Sequence, residues 1–98
     1  MYGLSGVQHE WVQRRQVRHP GHTYTAALDF DAQRVAGVRR TFIDCTNPPL
    51  ETIAESRRRV RDPAFWGAPW RVLELATGHD PMVSTPHDLA QILLACAP

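Results

Sequence analysis

Two short apolar runs, RRTFIDCT at residues 39–46 and WRVLELA at residues 70–76, limit the fold more than any other feature of this chain. In both, β-branched, aromatic and large aliphatic residues follow one another with little alternation. That is the pattern of a strand covered on both faces. Between them the period changes: Leu50, Ile53, Ala54 and Val60 share one helical face, and Glu55 and Arg59 stand at i,i+4 on the other. Asn47-Pro48-Pro49 stops the first run, Asp62-Pro63 closes the helix, and a Trp/Gly/Pro-rich loop at residues 64–69 leads into the second run. Further on, Thr85, Pro86 and Asp88 have the spacing of a capping box with proline at the first helical position, and Leu89, Ile92, Leu93 and Cys96 form one apolar stripe. Strand, helix, strand, helix with covered strands calls for parallel pairing, so the expected class is α/β.

Parallel strands this apolar need neighbouring strands and helices on both faces. The 98 residues, 43% of them hydrophobic, suffice for one small core. The missing strands have no counterpart in the remaining sequence. Residues 5–17 read as a short helix with Ser5 as N-cap and Val7, Trp11 and Val12 on one side, ended by His19-Pro20-Gly21. Residues 20–38 show no sustained period, with a few extended residues expected at Thr23 to Ala26, and such a long connection is unusual inside a complete compact domain. No internal repeat could complete the sheet. The expectation is therefore a partial parallel sheet, either the C-terminal portion of a larger α/β domain or a chain completed by a second one.

Composition removes several function classes. Eleven basic residues, all arginine, against ten acidic ones leave a formal net charge of +1, so no global field favours nucleic acid or a membrane surface. In SRRRVRD, residues 56–62, the arginines spread around the polar side of a helix beside Glu51 and Glu55 with no aromatic platform between them. A solvated helix face is the better reading. His19 and His22 flank a Pro-Gly turn without further ligands at a recognised spacing, so neither a metal nor a cofactor is expected. Cys45 and Cys96 lie in apolar patterns without a C-x-x-C pair and read as small buried hydrophobes. Trp11, Trp66 and Trp70 could line an apolar pocket but read more simply as core anchors, while Phe65-Trp66 in its loop is the better candidate for a surface contact. With no leader pattern and no span of about 18 apolar residues, a soluble, cytoplasmic protein is expected.

One stretch asks for more than packing. ATGHDPMVSTP, residues 76–86, puts a glycine, a histidine and an aspartate just past the second strand. In open parallel sheets, catalytic and ligand groups collect at the carboxyl ends of strands. Gly78 would allow a sharp turn, and the imidazole of His79 suits proton transfer near neutral pH. A loop histidine hydrogen-bonded to backbone is the competing reading.

The order of RRTFIDCT, helix, WRVLELATGHDPMVSTP and the final helix HDLAQILLACA resembles the C-terminal end of α/β-hydrolase-fold enzymes, nearest the hydroxynitrile lyase, methylesterase and bacterial esterase branch. The specific positions are Gly78, His79, Asp80, Met82 and Pro86, which match a turn carrying the triad histidine, then a Met or Leu, a Pro and a last helix. The resemblance implies that residues 1–38 are the end of a cap-like region and residues 39–98 a C-terminal β-α-β-α part. It implies hydrolysis of small esters or acyl compounds by a Ser-His-acid mechanism without cofactor, with His79 as the base. The family often places its acid after the strand that here ends at Thr46, where this chain has prolines and then Glu51, the candidate acid. Asp44 is an alternative acid, although its place inside the strand favours a structural or supporting role. No G-x-S-x-G elbow occurs: the serines are Ser5, Ser56 and Ser84, none with that flanking. The isolated chain is thus expected to be inactive. A non-catalytic half-domain that binds a complementing N-terminal chain or a second copy is the alternative.

Overall fold

The computed structural model describes residues 3–66 and 70–98. Two strands, β1 (Thr41–Cys45) and β2 (Arg71–Leu75), pair in parallel with Thr41 opposite Arg71 and Cys45 opposite Leu75. Both are shorter than the apolar runs that announced them, although the Arg71 N–H still donates to the Arg40 carbonyl (2.9 Å) and the Thr46 N–H to the Leu75 carbonyl (3.0 Å). Parallel pairing requires a crossover, because a two-residue turn cannot bring the chain back to the same end of the sheet. The crossover is helical: a 3-10 turn at Glu51–Ile53, then α2 (Ala54–Arg59) and α3 (Pro63–Trp66). Helix α3 corrects the expected loop at 64–69, of which residues 67–69 lie outside the described residues. Proline at its first position explains why it starts there.

Before the sheet, α1 (Gly6–Arg15) stops two residues short of the expected end, and Ser5 stands at its N-cap without a side-chain hydrogen bond. Residues 21–24 and 32–35 form 3-10 turns, so no extended segment forms at Thr23 to Ala26. The Thr23 and Thr25 hydroxyls bond instead to the carbonyls of Pro20 and His22, a local alternative that short polar side chains offer to strand pairing. After the sheet, α4 (Pro81–Ser84) occupies what read as a connecting loop, and α5 (Pro86–Cys96) follows. The capping box does not form. Thr85 precedes α5 as expected, but its hydroxyl donates to the Pro81 carbonyl (3.4 Å), a bond that joins α4 to the start of α5.

The apolar runs are not covered on both faces. Of the ten strand residues only Asp44 is buried, and Arg71 and Glu74 are exposed. Two strands have two open edges, and covering a parallel sheet takes more elements than these. Leu4 and Val60 form the buried hydrophobic core among the described residues, and Pro81 is buried where α4 begins. The stripe on α5 is half-covered at Leu89, Ile92 and Cys96, while Leu93 is 58% exposed. Cys45 and Cys96 are likewise half-buried rather than core residues. Among the described residues no helix is long and apolar enough to cross a membrane.

Candidate functional site at the carboxyl end of the sheet

Past β1 and β2 the chain forms two loops that run side by side. The Asn47 N–H donates to the Thr77 carbonyl (3.0 Å), and the Thr77 N–H donates to the Leu75 carbonyl (2.8 Å). Thr77 is buried, and its hydroxyl meets that of Ser84, which in turn donates to the Asp80 carbonyl (3.3 Å). The Val83 and Ser84 N–H groups also bond to that carbonyl. Asp80 thus anchors α4 through its backbone, leaving its side chain out of the cap. The N-terminal segment closes over this pair of loops. Gly3 has φ of +86°, and a Cβ there would lie 2.7 Å from Cδ of Pro48 and 3.1 Å from Cα of Gly78. Only glycine fits so close an approach in that conformation.

His79 and Asp80 leave this hydrogen-bonded base half-buried, at the carboxyl end of β2. The Cys45 thiol ends β1 at the same side of the sheet; burial pushes it up, and the charges of Asp44 and Asp80 push it further, so it is no activated nucleophile. Ser5 and Ser56 are exposed, and the Ser84 hydroxyl is occupied by Thr77 and Asp80. Among the described residues none of the three serines is hydrogen-bonded to His79. Glu51, the candidate acid, opens the 3-10 turn and is exposed, and no hydrogen bond or ion pair joins it to His79. Its charge reaches Arg57 instead.

An apolar groove lies beside this end of the sheet. Val7, Gln8 and Trp11 of α1 face Met82 and Val83 of α4 across about 280 Å³, and an adjoining groove extends along Trp11 to Asp80, the neighbour of His79. Trp11 is therefore not a core anchor: it is 45% exposed, with the Arg15 guanidinium 4.0 Å above its ring. The surface contact expected of Phe65 and Trp66 rests on side chains outside the described residues. His19 packs edge-on against Tyr24, and among the described residues no group of three or more metal-ligating side chains converges.

The residue that sequence reading undervalued is Asp44. It is 2% exposed and receives Arg57 through Nε (2.7 Å) and Nη2 (3.2 Å) and Arg61 through Nη2 (2.5 Å). Burial alone would push its carboxyl up; the two guanidiniums outweigh that and hold it below its ordinary 3.8. Arg57 and Arg61, four residues apart, thus turn inward, which corrects the picture of all four arginines on a solvated face. Arg58 and Arg59 do stay outside, both on Glu55, at 2.5 and 2.9 Å. An aspartate inside an apolar strand, followed by arginines at helical spacing, was the available signal.

Compared with protein-family models, curated proteins and solved structures, the chain matches none of them. The class that can be stated is a small α/β protein with a two-stranded parallel sheet.

Proposed function

We infer that this chain is part of an α/β-hydrolase-like enzyme that cleaves small esters or acyl compounds, with His79 as its general base. The observation that carries the reading is the position of His79: it follows the second of two parallel strands, where catalytic groups of such sheets collect, on a loop held by backbone bonds and next to an apolar groove. In the reaction, the imidazole takes the proton of a serine hydroxyl as that oxygen attacks the ester carbonyl, then returns it to the leaving alcohol; water repeats the sequence to release the acid. The serine comes from outside these 98 residues, and Glu51 is the acid toward which the histidine would turn. The isolated chain is inactive on this reading.

The test is the coding region immediately upstream of Met1, where a G-x-S-x-G in any frame is expected. Co-expression of that segment with this chain should then give p-nitrophenyl acetate turnover, reduced about 10⁴-fold in His79→Ala. Turnover indifferent to His79→Ala would sink the assignment, whereas esterase activity of the isolated chain that depends on His79 would overturn its inactivity.

A second reading, a non-catalytic half-domain that pairs with a complementing chain or a second copy, is favoured by surface area. The chain exposes 7711 Å², whereas a folded monomer of its mass exposes about 5,700 Å². The excess is of the size that stable interfaces cover. Co-purification with an N-terminal hydrolase segment that yields no esterase activity would select this reading over the first.

A further inference from the structure

Helix α5 carries more apolar surface than its own chain covers. Leu89, Ile92 and Cys96 make up its half-buried side. Ala90, Leu93, Leu94 and Ala97 form a second stripe at i, i+3, i+4, i+7, and all four are exposed. At about 100° per residue the apolar arc from Ile92 round to Leu94 spans roughly 200°, about twice the stripe of a helix that packs on one side. From Leu89 to Cys96 only Gln91 is polar. A helix apolar over so much of its circumference is covered on two sides, and this chain covers one.

The exposed stripe fits a copy of itself. Ala90, Leu93, Leu94 and Ala97 read the same in both directions about the midpoint between the two leucines. An isologous contact asks for that, because each residue must meet its mirror position across the twofold axis. In an antiparallel pair, Leu93 meets Leu94 of the second copy and Ala90 meets Ala97 at either end, where small side chains let the backbones approach. The stripe carries no charge that self-pairing would oppose, and antiparallel helices set their dipoles head to tail. Area agrees with this occupant: the 7711 Å² that the chain exposes exceeds the surface of a folded monomer of its mass by more than the roughly 800 Å² per partner that a stable pair covers. We propose that a second copy of this chain covers the stripe, through an antiparallel pair of α5 helices about a twofold axis between Leu93 and Leu94. This rests on the second reading above and gives it a partner and a surface. The pair forms reversibly, so stability measured at high dilution is that of the single chain, with Leu93 and Leu94 exposed.

Sedimentation velocity of the purified chain over a wide concentration range should give a monomer–dimer equilibrium. Leu94→Glu should raise the dissociation constant about 100-fold or more, since each dimer would then bury two carboxylates without partners, and circular dichroism should show the helix content unchanged. Ala90→Gln, which keeps the chain uncharged there and blocks close approach, should weaken the dimer about tenfold, and it carries the test should Leu94→Glu disturb the fold. Gln91→Glu, which adds the same charge off the stripe, should leave the dimer intact. Cross-linking reads the direction. Ala90 and Ala97 lie about 10 Å apart along the helix. In a Cys45→Ala, Cys96→Ala background, Ala90→Cys mixed with Ala97→Cys should therefore join through a short bismaleimide faster than either variant joins to itself. A monomer at every concentration would overturn the proposal. A dimer that neither Leu94→Glu nor Ala90→Gln weakens would overturn it too while leaving the second reading standing, as would self-linking of Ala90→Cys faster than the mixed product.

Discussion

Asp44 carries the largest single-residue consequence. It stands directly across the sheet from Glu74, a like-charge pairing that is unfavourable by itself, and Arg61 lies between them, 2.5 Å from Asp44 and 3.9 Å from Glu74. Removing the carboxylate strands two guanidiniums, but these are 23% and 39% exposed and can turn to water, so Asp44→Ala should cost about 2–3 kcal/mol, at the low end for a broken buried pair. Urea unfolding measures it, and a loss below about 0.5 kcal/mol would mean that the triad contributes nothing. The sign of the pH dependence follows from the lowered carboxyl: its contribution is fully present above the unfolded value of 3.8 and is lost as pH falls through the folded one. Glu55, held at about 2 chiefly by its Arg58 hydrogen bond, acts in the same direction. Thermal melts should decline below about pH 4, less steeply in Asp44→Asn than in the parent chain. Gly3 offers a second test. Gly3→Ala combines a left-handed φ with backbone contact at Gly78 and should cost about 2 kcal/mol or more, whereas Gly6→Ala, at φ +56° with open space around it, should cost about 1 kcal/mol.

Elements differ in how far their sequence signals survived. Parallel β1 and β2, the intervening helix and the last helix stand where periodicity put them, because each signal is local: β-branched runs, a change to helical spacing, proline as a start or stop. The misses come from local bonds that compete with a pattern. Thr85 has the right spacing for a capping box, yet its hydroxyl serves the Pro81 carbonyl, and Pro81–Ser84 becomes helical because Asp80 supplies the carbonyl that Val83 and Ser84 need. Helix α5 shows the limit of an apolar stripe as a sign of burial. None of its residues is buried, and Leu93 and Leu94 are 58% and 69% exposed. Leu93→Ala should therefore change stability by less than about 1 kcal/mol, against about 2–5 for a buried leucine. A larger loss in chemical denaturation would show that α5 is covered in solution by something other than this chain.

On the scale of the whole molecule, the radius of gyration is 15.7 Å, where a compact domain of this length has about 12.6 Å. Open strand edges, an uncovered α5 stripe and excess surface predict concentration-dependent association, checked by sedimentation velocity across a wide concentration range. A monodisperse monomer that melts cooperatively would contradict it. What the amino-acid order determined by itself was the α/β class, the parallel pairing and the position of His79 past the second strand, since those follow from period, length and turn chemistry along one segment. Tertiary structure alone decided that Asp44 draws in Arg57 and Arg61 and that Trp11 lines a groove with Met82 and Val83. Each of these joins residues far apart in sequence, and a pattern read along the chain contains no distance between segments until the crossover brings them together.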